Sequence, residues 1–121
     1  MDKVLTYAIV VINLIFSVVG QLFIKKGVDQ VGGFVPEKWF SFFVASFTNP
    51  LILLGESLYL IGAFLWLVVL TKINLSVAYP MLSLGYVFIL IFSAWWLHEP
   101  VTWVNTAGVM LICAGVVMVM R

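Results

Sequence analysis

Apolar residues fall in four long blocks along this chain, each closed by charged or helix-breaking residues, and the pattern predicts four membrane-spanning helices. A span needs about 20 consecutive apolar residues. The first block covers residues 4–24, between Asp2-Lys3 and Lys25-Lys26. The second covers residues 51–70: Asn49 is placed to cap it, Pro50 suits a first turn where a missing N–H costs nothing, and Lys72 ends it. The third covers residues 77–97 and stops at His98-Glu99-Pro100. The fourth covers residues 103–120, with Arg121 as its stop. The second and third connections are short, so consecutive helices must be antiparallel neighbours.

The first connection reads differently. Residues 27–33 suggest a loop, and residues 36–47 a short amphipathic helix. Phe40, Phe43, Val44 and Phe47 recur at helical spacing, while Lys38, Ser41 and Thr48 lie elsewhere. A segment this short lies along the interface instead of crossing it. Trp39, Trp95, Trp96 and Trp103 sit near span ends, as aromatic belts do. The fold class expected is all-α integral membrane: four transmembrane helices plus one interfacial helix, in a single transmembrane domain over residues 1–121. No small-residue cleavage site precedes Lys25, so the first block is expected to remain as a span rather than act as a signal peptide.

Composition sharpens the picture. Of 121 residues, 64% are hydrophobic and only 9% are charged, and the mean hydropathy is +1.22. A soluble domain carries about a quarter charged residues, so the membrane is the only solvent that fits. The net charge of +1 comes with no basic patch, and nucleic acid is not an expected partner. The single cysteine, Cys113, lies in an apolar run and reads as a packing residue. One histidine, His98, makes no metal site; it and Glu99 read as a solvated turn. No nucleophile–base pair and no phosphate loop appears, so neither an enzyme nor a cofactor is expected. Lys25, Lys26 and Lys38 flank one membrane face and Lys3, Lys72 and Arg121 the other. That balance predicts weakly specified orientation.

Polar groups inside hydrocarbon need partners, so they are where function is expected to show. Asn13, Ser17, Gln21 and Lys25 stand four apart in the first span. Each step drifts about 40°, so the four cover one sector about 120° wide. Gly20 beside them admits a close approach. The stripe is either a substrate path or a set of interhelical hydrogen bonds with Lys25 snorkelling to the headgroups. Glu56 lies about one turn inside the second span, at the depth of Lys25 and Lys26, and is either paired with lysine or a titrating, substrate-binding acid. Tyr59 continues the Glu56 face. Tyr79, Ser83 and Tyr86 share a face of the third span, where Pro80 bends or starts the helix; they either line a cavity or pack locally. Ala107-Gly108 and Ala114-Gly115 recur seven apart in the fourth span, a seam for helix–helix contact. One such bundle leaves little lumen, so a dimer is expected, homomeric or with a similar chain, through that seam.

Two stretches carry a family resemblance. Ser17-Val18-Val19-Gly20-Gln21-Leu22 followed by Lys25 resembles the first-helix motif of four-helix drug/metabolite transporters. Leu75-Ser76-Val77-Ala78-Tyr79-Pro80-Met81-Leu82-Ser83-Leu84, then Tyr86-Val87 and His98-Glu99-Pro100-Val101, resembles the same superfamily. Together they most resemble subunits of the bacterial flippase for aminoarabinose linked to undecaprenyl phosphate. The related small multidrug resistance proteins carry an essential glutamate midway along the first helix. This chain has no acid in that span, which argues against proton-coupled export of cationic drugs. The resemblance implies a multi-pass protein of the bacterial inner membrane that moves a polyprenyl-phosphate-linked sugar. Lys25 then meets the phosphate, Asn13, Ser17 and Gln21 the sugar, and Glu56 an amino group if there is one. Two competing readings remain: a multidrug-type exporter with Glu56 as its proton site, and a non-transporting accessory subunit.

Overall fold

The computed structural model describes residues 3–121, all of whose regular structure is helical: α1 (Lys3–Val31), a 3₁₀ turn (Pro36–Lys38), α2 (Trp39–Thr48), α3 (Pro50–Lys72), α4 (Leu75–Leu82), α5 (Gly85–Trp95) and α6 (Trp103–Met120). Four stretches are long and apolar enough to cross a bilayer: α1, α3, α4 with α5, and α6. The chain is a multi-pass, all-α membrane protein.

The residues expected to form a loop at 27–33 are mostly helix. Gly27 is buried inside α1, and the chain leaves the helix only after Val31, with Gly32 at φ 99°. A 29-residue helix is about 43 Å long, against about 30 Å of hydrocarbon. Its last two turns, with Lys25, Lys26 and Asp29, therefore reach headgroup depth. Asn49 caps α3, its side chain accepting from the N–H groups of Leu51 (2.9 Å) and Ile52 (3.3 Å), and Pro50 occupies the first turn. Thr102 caps α6 through the Asn105 N–H at 3.1 Å.

Glycine brings α1 and α3 together at backbone distance. A Cβ added at Gly55 would stand 2.5 Å from the Gly20 carbonyl oxygen, and one at Gly62 would stand 2.9 Å from Asn13 Oδ1. Gly20 and Gly27 on α1, and Gly55 and Gly62 on α3, are each seven apart. That spacing keeps one seam facing its partner. With no hydrophobic drive between helices in lipid, such close packing is what associates them.

The third span, expected over residues 77–97 with Pro80 bending or starting the helix, runs as two helices, α4 and α5. Pro80 lies inside α4, and helical bonding lapses at Ser83-Leu84. There the N–H groups of Ser83, Leu84, Tyr86 and Val87 reach back three residues, at 2.9–3.2 Å. Gly85 then opens α5 against Val18 and Leu14 of α1. The apolar packing forms two clusters. Val10, Val69, Ala78 and Met81 hold α1, α3 and α4 together, while Leu14, Val18 and Leu22 pack against Leu84, Ile89, Phe92 and Trp96. α6 is the outlier: Val116 is its only buried residue.

On α2 the apolar stripe Phe40, Phe43, Val44 and Phe47 faces out of the bundle, and Ser46 is the buried residue. That suits a helix with its apolar side in lipid. Trp39, Trp95 and Trp103 are exposed, whereas Trp96 stands edge-on to Phe23 at 5.7 Å.

Candidate functional site

Polar side chains of α1, α3 and the broken span converge halfway along the bundle. A cavity of about 200 Å³ is lined by Ser17, Gln21, Tyr59, Tyr79, Ser83 and Tyr86 among apolar neighbours. A second lobe of about 240 Å³ shares Ser17, Tyr59 and Tyr79 and adds Asn13, Gly62 and Trp66. The two lobes together collect seven of the nine residues expected to bind substrate. Each has a local reason to be there. Asn13, Ser17 and Gln21 follow one sector of α1, Asn13 being buried and Ser17 partly so. Gly62 has no side chain, so Asn13 and Ser17 are not crowded out by α3. The lapse at Ser83-Leu84 turns Tyr79 and Tyr86, on separate helices, toward one space.

The cavity has walls from three spans and none from α6. Tyr59, Tyr79 and Tyr86 are 45%, 65% and 50% exposed, which marks the open side. Hydroxyls, two amides and aromatic rings make up its polar lining, and no charged residue belongs to it. Its chemistry therefore suits neutral, hydroxyl-bearing groups, with Trp66 and Tyr79 (6.4 Å between ring centres) presenting aromatic surface.

Glu56 and Lys25 lie outside this cavity. Glu56 is exposed on α3, one turn before Tyr59, and in no ion pair with a described residue. Of the two expectations for Glu56, the ion pair with Lys25 or Lys26 is not formed among the described residues. Ile52 and Gly55 are the buried residues of this part of α3, and Leu53, Leu54 and Glu56 are exposed. Lys25 instead donates a 2.9 Å hydrogen bond to Asp29 and lies 4.0 Å from Glu99. Lys26 lies over the Trp96 ring at 5.5 Å. Glu99 is a partly exposed turn residue, as expected, that also stands near Lys25. His98 adopts a left-handed φ of 57°, and the Glu99 N–H returns to the Ser93 carbonyl at 2.9 Å, which folds Glu99 back toward α1. Asp29 was legible as a partner four residues beyond Lys25, had the helix been read past Gly27. Glu99 required the tertiary fold.

Ala107, Ala114 and Gly115 of α6 are exposed and Gly108 partly so; a Cβ on either glycine meets nothing within 4 Å. Among the described residues, nothing packs closely on the two glycines of this seam.

A polar cavity open on one side, beside a broken helix in a multi-pass bundle, is an arrangement that membrane transporters use. The chain belongs to the EamA-like transporter family, whose profile matches residues 2–121. Among named relatives, it is 34% identical over 111 residues to "Probable 4-amino-4-deoxy-L-arabinose-phosphoundecaprenol flippase subunit ArnE" of Erwinia tasmaniensis, covering 89% of this chain and 90% of the relative. It is 32% identical over 116 residues to the similarly named subunit ArnF of Photorhabdus laumondii, covering 91% and 92%. An ArnF subunit of Shewanella sediminis is 36% identical over 75 residues, which is 59% of this chain and 52% of that protein. No solved structure matches the chain.

Proposed function

We propose that this chain is a flippase or flippase subunit of the bacterial inner membrane, moving a polyprenyl-phosphate-linked sugar between leaflets. The observation that carries this reading is the uncharged, hydroxyl-rich cavity at mid-depth, one helical turn from a lysine at headgroup depth. Asn13, Ser17, Gln21, Tyr59, Tyr79, Ser83 and Tyr86 replace water around the sugar as it crosses, since each unsatisfied polar group in hydrocarbon costs several kcal/mol (about 4–8 in a fully apolar medium). Lys25, four residues beyond Gln21, receives the phosphate as a charge-assisted donor. The names of the relatives supply the class of cargo, and the 34% identity across 90% of one of them supports carrying it over. No acid lines either lobe of the cavity, which speaks against a proton-coupled exporter with its proton site there.

The open side of the cavity needs a further wall. A second chain supplies it, either another copy or a similar four-helix subunit, docked through the Ala107, Gly108, Ala114 and Gly115 seam. The cavities of the two chains then face a common path.

The test is flipping in proteoliposomes of undecaprenyl phosphate bearing a pentose. Ser17→Ala, Gln21→Leu and Tyr59→Phe each remove one hydrogen-bonding group worth about 0.5–1.5 kcal/mol, so each slows flipping by about two- to tenfold. Glu56→Gln leaves the rate near wild type. Loss of flipping in Glu56→Gln with the three cavity variants unaffected refutes the reading.

A further inference from the structure

A groove of about 570 Å³ runs between α5 and α6, larger than either lobe of the tyrosine cavity. Leu90, Val104, Val109 and Ile112 make its length apolar. Ser93, Asn105 and Glu99 make one end polar, where the chain turns from α5 into α6. The other end meets the tyrosine cavity, because Tyr86 and Ile89 line both. The groove therefore runs from the α5–α6 turn, where Glu99 stands 4.0 Å from Lys25, to the tyrosine cavity.

Its polar end carries an unusual charge arrangement. One N–H of Lys25 is given to Asp29, while the second carboxylate, Glu99, stands 4.0 Å away. That exceeds the about 2.7–2.9 Å of a charge-assisted hydrogen bond. Glu99 is 39% exposed and accepts no side-chain hydrogen bond from a described residue. A simple anion arriving here meets two carboxylates. A headgroup with both a phosphate and an ammonium satisfies both signs, phosphate on Lys25 and ammonium on Glu99.

Building on the flippase reading, we propose that the α5–α6 groove is the docking site of the carrier lipid: Glu99 and Lys25 read a zwitterionic amino-sugar phosphate, and the groove holds the start of its isoprenoid chain. The charge complementarity of the polar end and the continuity with the cavity assign this occupant. The sugar enters the cavity past Tyr86 and Ile89 while the chain stays in the groove. Glu99, not Glu56, then selects the amine.

The test measures binding to the full-length protein in nanodiscs. The probes are undecaprenyl phosphate carrying an aminopentose, the same lipid with a hydroxyl in place of the amine, and phosphatidylethanolamine. Glu99→Gln weakens the amino lipid about tenfold and leaves the hydroxy lipid within about twofold, because only the charged hydrogen bond is lost. Leu90→Trp fills the groove from α5, and Gly108→Leu fills it from α6, where a side chain meets open space. Both weaken the two polyprenyl lipids equally, about tenfold for roughly 1.4 kcal/mol of lost contact. Phosphatidylethanolamine at equal concentration does not displace them. The proposal is overturned if Glu99→Gln affects both lipids alike or neither, if only Gly108→Leu acts and the chains separate, or if phosphatidylethanolamine competes equally. Wild-type binding of both polyprenyl lipids, with all variants unaffected, removes the groove and leaves the flippase reading standing. Wild-type binding of neither removes both.

Discussion

Gly55→Ala tests how the bundle is held together. The added Cβ stands 2.5 Å from the Gly20 carbonyl oxygen and 2.9 Å from the Ile24 backbone nitrogen, while ordinary contact begins at 3.4 Å. The shortfall against the oxygen is 3.4 − 2.5 = 0.9 Å. Backbone atoms of a packed helix cannot swing aside, so α1 and α3 must separate. A gap of about 0.5–1 Å forfeits roughly a quarter to a half of each dispersion contact along the seam. Overpacking of this kind costs about 1–3 kcal/mol. No hydrophobic drive between helices offsets it in lipid. Reversible unfolding of the purified protein in bicelles reads the loss directly, with Gly33→Ala as the control because nothing lies within 4 Å of a Cβ there. Gly55→Ala as stable as Gly33→Ala refutes the claim that α1 and α3 meet at backbone distance.

Lys25→Ala abolishes flipping while the protein still inserts, and Lys25→Arg retains more activity because charge and donors remain. Lys26→Ala keeps flipping but loses about 0.5–1 kcal/mol of stability with the Trp96 contact; equal sensitivity of the two lysines counts against the phosphate role of Lys25. Single cysteines replacing Ala107 or Ala114 cross-link between chains in native membranes if the α6 seam is an interface, and intact activity without cross-links moves the interface elsewhere. Reporter fusions at Arg121 give mixed orientation, tipped by moving one lysine; a single orientation insensitive to that change contradicts the balanced-lysine reading.

The four spans and the interfacial helix were legible because hydropathy and capping are local: Asn49-Pro50 opens α3 where the sequence places a helix start. The mid-depth cavity was also foreshadowed, since four-residue spacing on α1 and Tyr79, Ser83 and Tyr86 on the third span each mark a shared face. What stayed hidden depends on geometry between segments. Gly27 reads as a loop residue by composition, yet it is helical, and Ile52 and Asn49 stand where a side chain on it would be. Glu56 and Lys25 share a depth, but depth does not fix which way a side chain points around its helix. Glu99 reaches Lys25 only through the left-handed turn at His98. The seven-residue spacing of Gly20 with Gly27 and of Gly55 with Gly62 was in plain view, and it identifies the in-chain seam that α6 does not provide.

Native mass spectrometry of the protein released from its own bacterial membranes tests the central claim most directly, because it reads the bound lipid without choosing one in advance. A retained species with the mass of a polyprenyl phosphate bearing a sugar is the predicted result, diminished in a variant combining Ser17→Ala, Tyr59→Phe and Lys25→Ala. Wild-type protein that carries only phospholipid, with the same adducts on the triple variant, contradicts the account.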